Sequence, residues 1–593
     1  MPHCTAGPRG RPAPGAPGGS FAPKIRVWGR AWVVIGPAAH GPRAMLFVSF
    51  DFLLFIIPVL LLSWALANVP VLRVLFLVAA SYFFYMAGPH TDPIQPPWYF
   101  VSLLFLSTVL DYVCSHRIAA RRLEMDSPDP ATQARARRAR NAWLGASLVG
   151  NLGLLGYFKY TNFFLGAFAD IAAALGVEVV VPHLRLILPI GISFYTFQTL
   201  SYTIDVWRGR LTPEPSFRRF ALFVVFFPQL VAGPIVRAHE FLPQLHRPPQ
   251  LSAGNMSMGM YRILCGVLKK AVLGDWIAAQ FTDAVFAAPG TYTSLEILLA
   301  LYAFTLQLYA DFSGYSDIAI GVALLLGYTL PENFDRPYQA TNLGEFWRRW
   351  HMTLSTWLRD YVFFPLGGSR GSPARVYFNL WLTMFLVGMW HGASWNFIIY
   401  SNVHALAMVF NRWNRGRPRG RFTLARSAPW VVGILLLSSA VFGLGVEVLQ
   451  LEVATALGLA GFAAAMFVIV AALPETGKWW NVALHVLLTF HFTVISRVFF
   501  RADDLDTSRT MIAGMLRLDT HGIREGLLSP GAWAVLVGGI AYHMTPKRWV
   551  DHFGYEAFRR LPGPVIGLLF AAASLGVYLL LSGGPRANIY FQF

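Results

Sequence analysis

Two histidines, His351 and His391, lie forty residues apart in the stretch 311–404, which mixes apolar and ionisable residues more densely than any other part of the chain. The stretch opens DFSGYSDIAIG, continues PENFDRPYQATNLGEFWRRWHMTLSTWLRDYVFFPLGGSRG, and closes LVGMWHGASWNF ahead of Asn402 and His404. A neutral imidazole has an unperturbed pKa of about 6.5 and can take a proton from an attacking hydroxyl near neutral pH. That suits acyl transfer to an alcohol without a protein nucleophile. The second histidine can orient the acceptor or donate a hydrogen bond to a thioester oxygen, and arginines can hold the phosphates of an acyl carrier. Arg348, Arg359, Trp390 and Asp311 are the candidates for donor binding or for lining a tunnel.

Each histidine also has a bland reading. Read as one helix, residues 345–362 put Trp347, His351, Leu354 and Leu358 on one stripe, with Arg348, Met352, Ser355 and Arg359 on its neighbour. On that apolar stripe His351 could be a core histidine bonded to a backbone carbonyl. His391 is flanked by Gly388 and Gly392, which would let a helix or a substrate come close. A metal site is not expected, because the spacings His351–His391 and His485–His491 contain no HExxH or comparable ligand set. PLGGSRG at 365–371 lacks the end of a phosphate-binding P-loop and reads as a tight turn. There is no GxSxG nucleophile elbow, and GDW at 274–276 is only a fragment of the GDS block of some serine esterases, so any serine-based step belongs to another protein. Cys4, Cys114 and Cys265 form no CxxC pair.

The elements that must carry these residues are membrane helices. Of 593 residues, 55% are hydrophobic and only 13% are charged, about half the charge of an ordinary soluble domain. Mean hydropathy is +0.49, and apolar runs near twenty residues recur. An all-α polytopic protein follows, with 11 to 13 transmembrane or re-entrant helices. Fourteen candidate runs, not all of them separate spans, fall near 45–66, 69–88, 97–114, 142–168, 184–206, 217–236, 257–287, 292–329, 376–409, 429–447, 454–473, 484–500, 531–544 and 563–582. Breaks such as FFPQLVAGPIV at 226–236 suggest kinked or re-entrant segments lining a cavity.

The net charge of +18 sits in loops. Seven arginines fall between Arg117 and Arg140 and six between Arg412 and Arg426, as expected of cytoplasmic loops facing anionic lipid rather than nucleic acid. GPHTDPIQPP, after the second span, has no Lys or Arg, so the first helix starts outside. Residues 1–44 are rich in Gly, Pro, Ala and Arg, carry six basic residues and no acidic one, and oppose that orientation. They read as a disordered basic tail or as sequence upstream of a true start at Met45, with a membrane domain over 45–593 and its core at about 184–410.

The blocks LPIGISFYTFQTLSYTIDVWRG (188–209), FFPQLVAGPIVRAHEFLPQL (226–245), DFSGYSDIAIG (311–321), the 333–371 block quoted above, MWHGASWNF (389–397) and VFFRADDLDTS (498–508) resemble bacterial membrane-bound O-acyltransferases. The resembling branch is the alginate O-acetylation type, related to the teichoic-acid D-alanyl transferases, and the likeness runs from about Met45 to Phe593. The resemblance implies tilted helices around a thinned centre, with a central tunnel where a cytoplasmic thioester meets an acceptor from the other side of a bacterial cytoplasmic (inner) membrane. It implies that His391, in the WHG block, is catalytic and that His351, in the RRWH block, is the second polar position. By the same resemblance no cofactor is tightly bound, and the donor is acetyl-CoA or an acyl-carrier thioester. The partner is a periplasmic SGNH-type acetyltransferase or esterase-like protein that decorates an exopolysaccharide such as alginate.

The chain ends SGGPRANIYFQF in a tail at 583–593, where Tyr590 is the only hydroxyl of the last ten residues. Tyr590 could accept the acyl group transiently, or anchor the chain at the interface. Against the enzyme reading stand a transporter or channel that uses buried histidines and arginines to relay protons or bind an anion, and a scaffold for glycan modification.

Overall fold

The computed structural model describes residues 45–88, 97–415, 477–519 and 521–580, with short stretches between 439 and 461. The tail 1–44, most of the expected spans 429–447 and 454–473, and residues 583–593 lie outside the described residues. The described elements are all helical, with no strand among them. Four helices are long and apolar enough to cross a membrane, Tyr99–Glu124, Ser294–Leu325, Trp479–Arg501 and Gly563–Leu580, and two shorter apolar ones are Phe50–Ala65 and Pro70–Met86. The expected span 142–168 lies within one continuous helix, Pro130–Ala174, and 531–544 coincides with Pro530–Met544, whereas others are built from interrupted pieces. The 217–236 run is a helix over Phe217–Val225, then a single turn over Phe227–Leu230, with Phe226 extended between them and Pro228 in the turn. The 257–287 run is α-helical to Leu268 and then π-helical over Lys269–Trp276 and Ala278–Thr282.

The chain opens with a hairpin of α1 (Phe50–Ala65) and α2 (Pro70–Met86). The Ser49 hydroxyl caps α1 by accepting from the Phe52 N–H at 3.2 Å. Arg73, in the first turn of α2, is buried and fully used. Its guanidinium donates to the Ser63 carbonyl and hydroxyl at 3.1 Å, to Tyr328 Oη at 2.9 Å and to the Leu326 carbonyl at 2.6 Å, and it stacks against Trp64 and Tyr328. A charge that would be costly in hydrocarbon thus becomes the pin between the hairpin and the centre of the protein.

Next come α3 (Pro97–Glu124) and α4 (Pro130–Ala174). At 45 residues α4 is about 67 Å long, roughly twice the hydrocarbon thickness, so part of it projects. The arginines of 117–140, expected in a loop, lie largely on the helical ends of α3 and α4 instead. Arginine is a good helix former, and Asp129 caps α4 by accepting from the Ala131 and Thr132 N–H groups, with Pro130 at the first position. Only residues 125–129 separate the two helices. Inside, the buried Asp111 of α3 accepts from Ser147 and from Asn151 (2.8 Å) on α4, and from Thr203 (3.1 Å) on α5 (Ile192–Arg208).

The centre is formed by α6 (Ala253–Leu268) and α7 (Ser294–Leu325), which meet through glycines. A Cβ on Gly266 would lie 2.6 Å from the Gly314 carbonyl oxygen, and one on Gly314 would lie 2.8 Å from that of Gly266. Gly259 and Gly321 face each other in the same way, at 2.9 and 2.5 Å. Seven residues separate the two glycines on each helix, so one antiparallel seam carries both contacts. By contrast, α13 (Gly563–Leu580) is a peripheral, lipid-type helix whose most apolar window has 0% of its residues buried. Any side chain at Gly266 must push two backbones apart, and Gly266→Val should destabilise the protein by about 1–3 kcal/mol or more. Gly567→Val, where a Cβ meets nothing within 4 Å, should stay within about 0.5 kcal/mol. Thermal melting of both variants in detergent checks the difference.

Candidate functional site

His351 does not lie within a continuous helix. Residues 345–362 split into α8 (Leu343–Arg349), α9 (Met352–Leu358) and a π-helical turn over Arg359–Phe363. At the break Trp350 is extended, and His351 adopts a left-handed conformation with φ 45°. The physical cause lies eighteen residues earlier, at Asn333. The Met352 N–H donates to the Asn333 carbonyl at 2.9 Å, while the Thr353 N–H (3.4 Å) and hydroxyl (2.8 Å) donate to Asn333 Oδ1. A second pairing, from the Asp335 N–H to the Arg349 carbonyl at 2.9 Å, holds the same segment on the other side of the break. These bonds offset the order of 1 kcal/mol that a left-handed non-glycine residue costs.

Asn333 also sets the chemistry of the ring. Because Asn333 Oδ1 already accepts from a backbone N–H, it must be the oxygen, and His351 Nδ1, 3.1 Å away, must be the donor. Neutral His351 therefore carries its lone pair on Nε2 and acts there as an acceptor. The ring is completely buried, edge-on to Phe312 of α7 at 4.7 Å and 5.7 Å from Trp390.

His391 is the last residue of α10 (Pro373–His391) and is followed, after a short turn, by α11 (Trp395–Arg415). The flanking glycines admit a helix. A Cβ at Gly388 would overlap the Ser401 side chain, and one at Gly392 would overlap the Phe397 ring, both on α11. The carbonyls at the end of α10 are held by α4: Lys159 Nζ donates to those of Trp390 and His391 (3.2 Å to the latter), and Tyr160 Oη donates to that of Met389 at 2.7 Å. A cation at a helix C-terminus meets both the orphan carbonyls and the negative end of the dipole.

The two histidines meet around Trp390, whose ring is 5.1 Å from that of His391 and 5.7 Å from that of His351. Below it the rings of Phe197 and Trp357 stack at 4.1 Å, and Trp357 Nε1 donates to the Phe197 carbonyl at 2.7 Å. A cavity of about 30 Å³ opens beside His391, with Lys159, Ile190, Phe194, Val231 and Trp390 among its walls.

The remaining candidates lie elsewhere. Arg348 and Arg359 are exposed, and Arg359 binds the neighbouring Asp360 at 3.0 Å. Asp311 is buried in α7 and paired with Lys270. Tyr590 lies outside the described residues. Among the described residues no group of three His, Cys, Asp or Glu side chains could hold a metal ion. Sequence reasoning missed Asn333, Lys159 and Arg497. The two cations were detectable as lone charges within the apolar runs GLLGYFKYTNFF and FHFTVISRVFF. Nothing in PENFDRP marks Asn333.

The packing that fixes His391 can be tested directly. Gly388→Ala should lower stability by about 1–3 kcal/mol through its clash with Ser401, and adding Ser401→Gly should restore part of the loss. Melting temperatures of the two single variants and the double variant measure this coupling.

Comparison with known proteins agrees with the geometry. The description "MBOAT, membrane-bound O-acyltransferase family" matches residues 70–446. A probable alginate O-acetylase, AlgI, of Azotobacter vinelandii is 41% identical over 370 residues, which is 62% of this chain and 69% of that protein. A peptidoglycan O-acetyltransferase of Helicobacter pylori is 33% identical over 395 residues (62% and 70%), and a teichoic acid D-alanyltransferase of Bacillus subtilis is 33% identical over 247 residues (40% and 62%). The chain spans about two thirds of the length of the curated relatives it matches, 66% for the AlgI of Pseudomonas aeruginosa. With a match over more than half its length and two buried histidines on the blocks that carry the likeness, the chain belongs to the membrane-bound O-acyltransferase family.

Proposed function

We propose that this protein moves an acyl group, acetyl, from a cytoplasmic thioester to a hydroxyl acceptor on the far side of a bacterial inner membrane. The observation that carries this reading is the enclosure of two histidines around Trp390, one oriented by Asn333 and the other lining a cavity. His391 takes the proton of the acceptor hydroxyl as its oxygen attacks the thioester carbon. The C–O bond forms while the carbonyl π electrons move onto oxygen. Collapse of that adduct breaks the C–S bond, and the departing thiolate recovers the proton from His391. His351, an acceptor at Nε2 in its neutral form, orients the hydroxyl; donating a bond to the thioester oxygen would require the other tautomer.

Charge supports a direction across the membrane. α4 and α10 both begin among arginines, Arg135–Arg140 and Arg370–Arg375, which the positive-inside rule assigns to the cytoplasm. Lys159 lies 29 residues into α4, about 44 Å along its axis, and His391 is at the far end of α10. On this reading the cavity lies on the acceptor side and the thioester enters from the opposite side. The donor is acetyl-CoA or an acyl-carrier thioester. The acyl group passes to a periplasmic SGNH-type partner and from there to an exopolysaccharide. The similar alginate and peptidoglycan O-acetylases, which by name act on glycans, support that acceptor class.

The test is the acetyl content of surface polysaccharide in a deletion strain complemented at matched membrane levels. Wild type should restore it, and His391→Ala should lower the transfer rate roughly 10² to 10⁴-fold. Equal rescue by both would favour a scaffold. In the same assay Asn333→Leu, which removes the acceptor for His351 Nδ1, should cost about tenfold to a hundredfold, whereas Asn333→Asp, which keeps an acceptor oxygen, should retain more activity.

A further inference from the structure

Arg497 is enclosed in α12 (Trp479–Arg501) with 1% of its surface exposed, and it lies outside the residues matched by the family description. Its Nη1 donates to Tyr400 Oη at 3.0 Å. The guanidinium carbon stands over the rings of Trp350 (4.9 Å), Phe500 (5.2 Å) and Tyr400 (6.0 Å). Trp350 is the residue immediately before His351. The Phe500 ring lies 5.3 Å from that of His391, and the Tyr400 ring 4.4 Å from that of His404.

An arginine stays charged in a protein, and enclosing one is costly. Packing alone does not require it, because an aliphatic side chain of similar length among aromatic rings is usually as stable or more so. Aromatic faces and a phenol oxygen hold this cation at one ring's remove from His391. In a low-dielectric interior a fixed charge acts strongly and need not reorganise during the reaction.

We propose that Arg497 is the fixed cation of the acyl-transfer site, stabilising the negative charge that forms on the carbonyl oxygen as the acceptor attacks beside His391. The inference rests on the acyl-transfer reading above. Arg497 acts through its field across Phe500, without touching the substrate, and the proton and leaving-group path stays as described. Lys159 of α4 donates to the carbonyl of His391 itself.

The experiment is a pulse of labelled acetate in the complemented deletion strain, reading the initial rate of acetyl incorporation into surface polysaccharide at matched membrane levels. Melting temperatures of the purified full chains are measured in parallel. Arg497→Met should keep its membrane level and melting temperature yet lose activity on the order of a hundredfold, and Arg497→Lys should return to within about tenfold of wild type. Arg497→Met within threefold of wild type overturns the proposal. Should the methionine variant fail to accumulate, Arg497→Gln against Arg497→Lys decides: activity that follows the charge supports the proposal, and equal activity overturns it. Wild type against His391→Ala in the same assay tests the underlying reading separately. If those two incorporate acetyl equally, acyl transfer through His391 fails whatever the Arg497 variants do.

Discussion

A carboxylate at membrane depth has to be met by a neighbouring helix, because no bulk water is there to solvate it, and α7 carries two. Asp317 is bonded by Arg262 at 2.7 Å and by Lys269 at 2.6 Å, and Asp311 is paired with Lys270, which also bonds Asp275 at 2.6 Å. All three cations come from α6 and the π-helical turn that continues it. Those charges can meet only because the glycine seam lets α6 and α7 approach until their backbones almost touch. The rest of the site leans on this axis. Phe312 of α7 packs on His351, the Asn333 amide donates to Ser316 at 3.2 Å, and the end of α7 receives Arg73 from the opening hairpin. Exchanging such buried ion pairs for apolar residues is often neutral for stability. Their presence here points to fixing register, since each pair is satisfied in one alignment of α6 against α7.

The chain announces its class and its histidines, but not how they are held. Apolar runs and the glycines around His391 are local signals, readable from spacing, and the structure assigns those glycines to the contact with α11. The break at His351 was not readable from 345–362, where the apolar pattern suits an unbroken helix. It depends on Asn333, remote in sequence, competing for the Met352 and Thr353 N–H groups. Arg348 and Arg359, which the sequence puts beside His351, are turned outward by the fold. Charge is under-read at Lys159 and Arg497, each a lone cation in an apolar run whose partners lie more than ninety residues away. Helix ends were also misjudged at 117–140, because a cluster of arginines looks like a loop to hydropathy although arginine favours helix.

The two histidines are held by different means. The His351 ring is set by side-chain and backbone bonds from a preceding loop, whereas the backbone at His391 is held by Lys159 of α4 and by the close contact of Gly388 and Gly392 with α11.

The cavity beside His391 has a chemical consequence of its own. About 30 Å³ is room for one or two water molecules, at the end of a site otherwise walled by Trp390, Phe194, Ile190 and Val231. On the proposed acyl-transfer reading, a thioester brought to His391 shares this small space with few water molecules, although water is by far the most abundant nucleophile outside. On that reading, partition between transfer and wasteful hydrolysis depends on volume as well as on reactivity, because an acceptor that fills the space displaces the water in it. The same wall that makes the imidazole hard to reach keeps an activated acyl group from being spent on water.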